Sequence, residues 1–401
     1  MINEEERNKN SSYRYIGLAT DIKNGESRSY TIRTNDERYL EIAVFNFNGT
    51  FHAISDSCIH KGGPLSKGFV DGDIITCPWH GWKYSIKTGK SPHDGGDSVN
   101  SYEVRIVEDK IYVNSIPSII GKRIFQPHES YLNLQKSVDD HLIHRSRNNM
   151  FPIDNKKVRF LGISTTNTND KVAPRKSTSE DALHSALEYA KNHLVAETVM
   201  IKLRELEFNH CEGYYSKNAN ACIFPCSISE RDSEDQMIQI YEKVILWADI
   251  VLIATPIRWG SASSLYYKMI QRMNCVQNQI ITHDRYLIRD KVGAFIITGG
   301  QDNVQHVAGE LISFWSQLGF VFGKFPFVGW TRGWYAEDTE NNYDAMNSSL
   351  KNNTSTLKEN KDSKMYNDLI KTINGAFEMA LLVKRNRYDE TVLHRTNTAR
   401  K

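Results

Sequence analysis

Apolar positions along this chain follow two different rhythms. Over residues 13–114, short β-rich runs alternate with tight turns, and no helical stripe develops. Runs at 40–47 and 51–54 flank Asn48-Gly49, a pair suited to the two positive φ values of a type I′ hairpin. Asp71-Gly72 ahead of Ile74 and Ile75 repeats the signal, and residues 107–111 read as another hairpin. From residue 157 strands and helices alternate. Strands are expected at 158–164, 198–203, 250–255, 292–298 and 320–329, and helices at 182–193, 235–248, 261–273 and 304–318. Met237, Ile240, Val244 and Trp247 fall on one helical stripe, while the run at 250–255 suits a strand buried on both faces. Strands spaced by helices of this length imply right-handed βαβ units in a doubly wound parallel sheet. A polar connection at 116–156, punctuated by Pro117, Pro127 and Pro152 and holding a short helix at 138–145, joins the halves. The predicted organisation is an all-β domain at 13–115, a linker at 116–156 and an α/β domain at 157–330. An extension at 331–401 begins Asn-rich and ends in a helix at 365–385.

Composition narrows the function classes. A chain of 401 residues exceeds one small core and suits two or three domains. Lys and Arg number 50 against 48 Asp and Glu, so no basic field points to nucleic acid. No run of about 18 apolar residues suggests a membrane span. The opening MINEEERNKN is acidic and polar, without an apolar signal region or a twin-arginine pair, so a cytoplasmic setting is expected. Six cysteines in such a chain read as metal ligands or free thiols, not as a disulfide scaffold.

Four of the candidate ligands are tightly patterned. Cys58-Ile59-His60 and Cys77-Pro78-Trp79-His80 are separated by sixteen residues, each beside a predicted hairpin tip. A [2Fe–2S] cluster with two thiolates on one iron and two imidazoles on the other needs one ligand of each kind from each loop. A structural zinc site is the competing reading, but zinc pairs usually span two to four residues and Cys-x-His spans one. The strings CIHKGGPL and CPWHGWKY resemble the two ligand boxes of the Rieske family over a domain of about one hundred residues. The resemblance implies that Cys58, His60, Cys77 and His80 hold the cluster, with exposed imidazoles of His60 and His80 as the electron exit. The high-potential respiratory kind carries a disulfide where this chain has Gly63 and Trp79, and a serine where it has Trp82. Tyr84 keeps the family's tyrosine. By resemblance this is a ferredoxin-type, lower-potential centre. A Rieske oxygenase would add iron bound by two histidines about five positions apart and a carboxylate. The nearest string, Asp139-Asp140-His141-Leu142-Ile143-His144, spaces them by three, and an α/β domain follows, so that reading is rejected.

The α/β half offers three loops at carboxyl ends of predicted parallel strands, where open sheets bind ligands. The first runs from Ser164 and holds Pro174-Arg175-Lys176-Ser177-Thr178-Ser179 ahead of a helix, a natural phosphate cradle. The second is Thr255-Pro256-Ile257-Arg258-Trp259-Gly260 and the third Thr298-Gly299-Gly300-Gln301. Together they resemble the flavodoxin-like NAD(P)H-dependent FMN reductases over about residues 157–330. That resemblance implies that Ser164, Arg175, Ser177, Thr178 and Ser179 hold the FMN phosphate. Pro256, Ile257, Arg258, Trp259 and Gly260 would run along the isoalloxazine edge, with Thr298, Gly299, Gly300 and Gln301 on its other side. Residues 165–173 are extra relative to the family between Ser164 and the PRK run. For Arg258 and Trp259 a core or dimer-interface role is the competing reading. NAD(P)H would stack over the flavin, since no G-x-G-x-x-G opens a separate dinucleotide domain.

Cys211, Cys222 and Cys226 with His210 leave a second metal centre open, free thiols being the alternative, and Cys275 reads as a helix-end residue. A one-electron cluster beside a flavin suggests an NAD(P)H-dependent FMN oxidoreductase passing electrons to an acceptor protein or small molecule. The alternatives are a non-enzymatic electron-transfer module, and a reductase of a small quinone or nitro compound with the cluster as entry. The reductase family's habit of pairing near the flavin implies a homo-oligomer.

Overall fold

A computed structural model describes residues 12–92, 96–147, 157–168, 177–194, 196–299, 303–331 and 364–385. The chain divides into two units, Met1–Pro127 with Gly213–Cys222, and His128–Glu212 with Ile223–Lys401.

The first unit holds β1 (Tyr13–Leu18), β2 (Ser27–Arg33), β3 (Tyr39–Phe47), β4 (Thr50–Ser55), β5 (Phe69–Asp71), β6 (Ile74–Thr76), β7 (Lys83–Ser85), β8 (Ser101–Val107) and β9 (Lys110–Ile119). Six of them form an antiparallel sheet in the order β1-β9-β8-β4-β3-β2, and β5-β6-β7 form a second. Strand β3 is buried on both faces. Ile42 and Val44 join Ile22, Ile32, Ala53, Tyr102, Ile111 and Val113, while Ala43 and Phe45 join Ile54, Leu65, Ile75, Tyr84 and Ile86. The second of these cores also contains Cys58 and Cys77, so the ligand loops sit on packed side chains. Asn48 and Gly49 take the expected positive φ, 52° and 77°, and pair Phe47 with Thr50. Glu108 and Asp109 make the β8–β9 turn with positive φ and no glycine.

The second unit holds α1 (Glu129–Arg147), β10 (Val158–Ser164), α2 (Thr178–His193), β11 (Ala196–Lys202), α3 (Ser227–Arg231), α4 (Met237–Tyr241), β12 (Ile250–Pro256), α5 (Ser264–Arg272), α6 (Asn274–His283), β13 (Val292–Gly299), α7 (Val304–Leu318), β14 (Val321–Thr331) and α8 (Lys364–Arg385). All five strands are parallel in the order β11-β10-β12-β13-β14. Chain direction across the sheet reverses at β10, which makes its carboxyl end the topological switch point. Every residue of β12 is buried, as its unbroken apolar run predicts. Gly162 brings β10 close to α2: a Cβ there would meet Leu187 at 2.8 Å. Helices α2 and α8 share one apolar core with the sheet, and Trp315 of α7 packs on Phe295 and Phe320.

Several elements differ from their sequence expectation. The helix expected at 235–248 is a short α4 continued by a π-helix at Glu242–Trp247, which still buries Val244 and Ile245. Helix α5 starts at Ser264 because residues 258–261 close a turn and Ser263 caps the helix, accepting from Tyr266 N at 3.2 Å. The helix expected at 138–145 runs from Glu129. Helix α8 is a layer on the sheet, burying Met365, Leu369, Ile373, Ala376, Ala380 and Val383. Among the described residues no helix is long and apolar enough to cross a membrane.

Candidate metal centre and cofactor loops

Two ligand loops repeat one backbone design. Cys58 N donates to Gly63 O (2.9 Å) and Gly62 N returns to Cys58 O (2.8 Å). In the second loop Cys77 N donates to Trp82 O (2.7 Å) and Gly81 N to Cys77 O (3.1 Å). Gly62 and Gly81 stand at the same place in each loop, with φ of 79° and 72°, a region that glycine enters without steric cost. Buried Asp56 braces the first loop, accepting from Ser66 N at 2.6 Å and Ser66 Oγ at 3.0 Å.

This backbone gathers all four sequence-predicted ligands. The Nδ1 atoms of His60 and His80 face each other at 3.2 Å, their rings nearly perpendicular at 81°. Cys58 and Cys77 lie thiol to thiol, and Tyr84 Oη is 3.2 Å from Cys58 Sγ. Pairing with the Cys77 thiol is the main pull that lowers Cys58, to about 7, and the same pairing with burial pushes Cys77 well above the thiol range. Burial, then the charge on Cys58, pushes the Tyr84 hydroxyl up. Unaided, the pocket supports one thiolate, and a second needs a cation. A thiol pair beside a facing imidazole pair fits the donor set of a Rieske [2Fe–2S] centre. Gly63 supplies the room: a Cβ there would lie 2.8 Å from Cys77 Sγ and 3.0 Å from the Trp79 ring.

The imidazoles are not exposed, which corrects the expectation of an open electron exit. His60 is 2% and His80 1% exposed. Trp82 stacks on His60 at 4.7 Å and 10°. Tyr214 meets His80 edge-on at 4.7 Å, and His80 Nε2 donates to Ala221 O at 2.7 Å. A carbonyl only accepts, so the His80 proton is fixed on Nε2 and Nδ1 carries the lone pair that a ligand needs.

In the second unit the carboxyl ends of β10, β12 and β13 carry the predicted flavin loops. Ser177 is the N-cap of α2 but makes no side-chain cap bond, and its Oγ pairs with Ser179 Oγ at 3.1 Å. Thr178 Oγ1 reaches Thr298 Oγ1 at 2.9 Å, joining the first loop to the third. Three hydroxyl residues at an uncapped helix N-terminus fit a phosphate. Ser164 Oγ instead donates to Glu180 Oε2 at 2.9 Å. Glu180 also accepts from Arg204 (3.0 Å) and Lys202 (3.0 Å). Burial pushes its carboxyl up, but the bonds from Arg204, Lys202 and Ser164 win and hold it down at about 2.

Residues 258–261 form a two-residue turn, closed by Arg258 N to Ser261 O (2.7 Å) and Ser261 N to Arg258 O (3.0 Å). Trp259 takes φ 51° and Gly260 77°, and the Trp259 side chain stands wholly in solvent. Positive φ at a tryptophan is costly and marks a turn held for a purpose. Ile257 N donates to Thr298 O at 2.7 Å, and Gly299 is pressed so close to Ile257 that a Cβ would come within 2.8 Å. Pro256, Ile257 and Thr298 are thus neighbours, while Arg175, Gly300 and Gln301 lie outside the described residues.

Sequence reasoning missed the groups that tie these loops together. Ser263 Oγ donates to Thr165 O at 2.6 Å, and Thr255 Oγ1 accepts from Ser263 N at 3.1 Å. The Asn303 amide donates to Gly260 O. Of the string rejected as an oxygenase iron site, Asp139 pairs with Arg285. Cys226 sits against Cys275, whose thiol is the main pull lowering it to about 6. Among the described residues no three His, Cys, Asp or Glu side chains converge on one ion position.

Comparison with known proteins gives the same two parts. The Rieske [2Fe-2S] domain family matches residues 13–103, and the NADPH-dependent FMN reductase family matches 163–332. Ferredoxin CarAc of Metapseudomonas resinovorans is 33% identical over 100 residues, 24% of this chain and 89% of that protein. Apoptosis-inducing factor 3 of Homo sapiens is 33% identical over 96 residues, 24% of this chain, and the match spans only 15% of that protein's length. Among solved structures, RosB with bound 8-demethyl-8-formylriboflavin-5'-phosphate aligns at TM-score 0.44 and 16% identity, covering 61% of this chain and 88% of that one. The carbazole 1,9a-dioxygenase oxygenase–ferredoxin complex aligns at TM-score 0.25 and 27% identity, covering 27% of this chain and 99% of the matched chain. The chain belongs to the Rieske [2Fe–2S] family in its N-terminal part and carries an NADPH-dependent FMN reductase domain after it, so its cofactors are a [2Fe–2S] cluster and FMN, with NAD(P)H the nucleotide of that reductase family.

Proposed function

We propose that this chain is an NAD(P)H-dependent FMN oxidoreductase that passes electrons between its flavin and a Rieske centre held by Cys58, His60, Cys77 and His80, and on to an acceptor. The observation that carries this reading is a sealed pocket with a thiol pair and two facing Nδ1 atoms. It occurs in one chain with three loops at the carboxyl ends of a parallel sheet. CarAc, a ferredoxin matched over most of its length, supports an electron-carrier role for the N-terminal part. When bound, FMN turns the two electrons of NAD(P)H into single ones, and the cluster carries them one at a time.

The chain's own groups set the conditions. Cys58 and Cys77 supply two negative charges from within an apolar core. The Ala221 carbonyl holds the His80 proton on Nε2, and Tyr84 offers its hydroxyl to Cys58 Sγ. Trp82 keeps water off His60. On the flavin side, Ser177, Thr178 and Ser179 at the start of α2, with Arg175 from the sequence motif, would hold the phosphate, while Ser164 is engaged by Glu180. The Pro256–Gly260 loop and the Thr298–Gln301 motif would meet the ring system, with Gly260 steadied by Asn303. Protein loaded with iron, sulfide and FMN is expected to lose its flavin absorbance on anaerobic addition of NADH or NADPH. Flavin-loaded protein that neither nucleotide reduces would overturn the reading.

A further inference from the structure

The cover on His80 comes from a stretch far from it in sequence. Gly213–Cys222 belongs to the first unit, although the chain on either side belongs to the second. Two short 3-10 turns, Tyr214–Ser216 and Ala219–Ala221, shape it, and Asn218 Oδ1 accepts from Asn220 N at 2.9 Å to start the second turn. Ala221 ends that turn, where carbonyls have no partner within the helix. Its oxygen takes the Nε2–H of His80 at 2.7 Å, and Tyr214 closes on the ring edge at 4.7 Å. With Trp82 over His60, neither imidazole is more than 2% exposed. The sulfur side of the site is shut as well, since Cys58 and Cys77 lie in the core with Ile75, Tyr84 and Leu65. The imidazole edge is the side over which this distant stretch of the chain lies.

We infer that Gly213–Cys222 is a built-in cover that closes the histidine edge of the centre to soluble redox proteins. Tyr214 and the Ala221 carbonyl are positioning groups for the His80 ring. The inference rests on the Rieske assignment proposed above. A hydrogen bond from Nε2–H to a carbonyl makes the imidazole a stronger donor to iron, and a dry site disfavours the more negative, reduced state. Both effects hold the potential down.

The test uses the reduced, cluster-loaded full chain. EPR power saturation is measured with and without a neutral gadolinium chelate, and the midpoint potential by anaerobic redox titration, for the wild type, Tyr214→Ala and Tyr214→Phe. The chelate is expected to change wild-type relaxation little. In Tyr214→Ala it should enhance relaxation several-fold and the potential should shift upward, while Tyr214→Phe, which keeps the ring, stays with the wild type. A wild-type centre relaxed several-fold by the chelate overturns the cover, and this arm needs no variant to fold. So does a Tyr214→Ala centre with unchanged relaxation and potential. Iron-loaded wild-type protein without a Rieske EPR signal would overturn the underlying assignment, a failure distinct from both.

Discussion

A methyl group at Gly63 would press on Cys77 Sγ and on the Trp79 ring, at 2.8 and 3.0 Å. Trp79 and Cys77 are both pinned by their loop, so neither can yield freely. Gly63→Ala is expected to lower stability by about 1–3 kcal/mol, the usual range for overpacking, and to reduce iron content. Thermal melts and iron analysis check this, and full iron occupancy at wild-type stability would contradict it. Tyr84→Phe acts differently. It removes the hydroxyl 3.2 Å from Cys58 Sγ without removing the ring. Hydrogen bonds to cluster sulfurs raise the potential, so the variant should keep its cluster and titrate at a lower potential. At this scale the four ligands were legible because each Cys–His pair lies within one turn of chain. Burial of His60 and His80 was not, since Ala221, which lies over His80, comes from 141 residues away.

Helix α2 shows what an element adds to its residues. The run of hydroxyls Ser177, Thr178 and Ser179 at its N-terminus was legible in the sequence, but the ion network behind it was not. Glu180 collects Ser164, Lys202 and Arg204 from two other strand ends, a meeting fixed only when β10 and β11 pair. The carboxyl is held at about 2, below its ordinary 4.5. A depressed folded value means its stabilisation is complete above about 4.5 and is lost as pH falls through about 2. Glu180→Gln removes that dependence. Urea midpoints measured against pH should therefore fall more steeply in the wild type than in the variant over this acid range. Parallel curves would show that the network carries no net charge stabilisation. The π-helical end of the helix at 242–247 also escaped the sequence, because a four-residue stripe reads the same in α and π turns over so short a length.

Across the whole molecule, the change from period-two runs to alternating strands and helices made both folds readable. All five predicted parallel strands are present. The role of α8 was hidden behind the polar stretch before it, although its apolar stripe completes the core over β13 and β14. The allegiance of Gly213–Cys222 to the first unit was hidden for another reason: nothing local in a Tyr-, Ser- and Asn-rich loop says which surface it will cover. The central claim is that reducing power entering at the flavin reaches the cluster in the same chain. Anaerobic mixing of the fully loaded protein with NADPH or NADH, followed by rapid freezing and EPR, tests this most directly. The account predicts loss of flavin absorbance followed by the signal of a reduced Rieske centre, at a rate independent of protein concentration. Complete flavin reduction with a cluster that stays oxidised, though dithionite reduces it, would contradict the account.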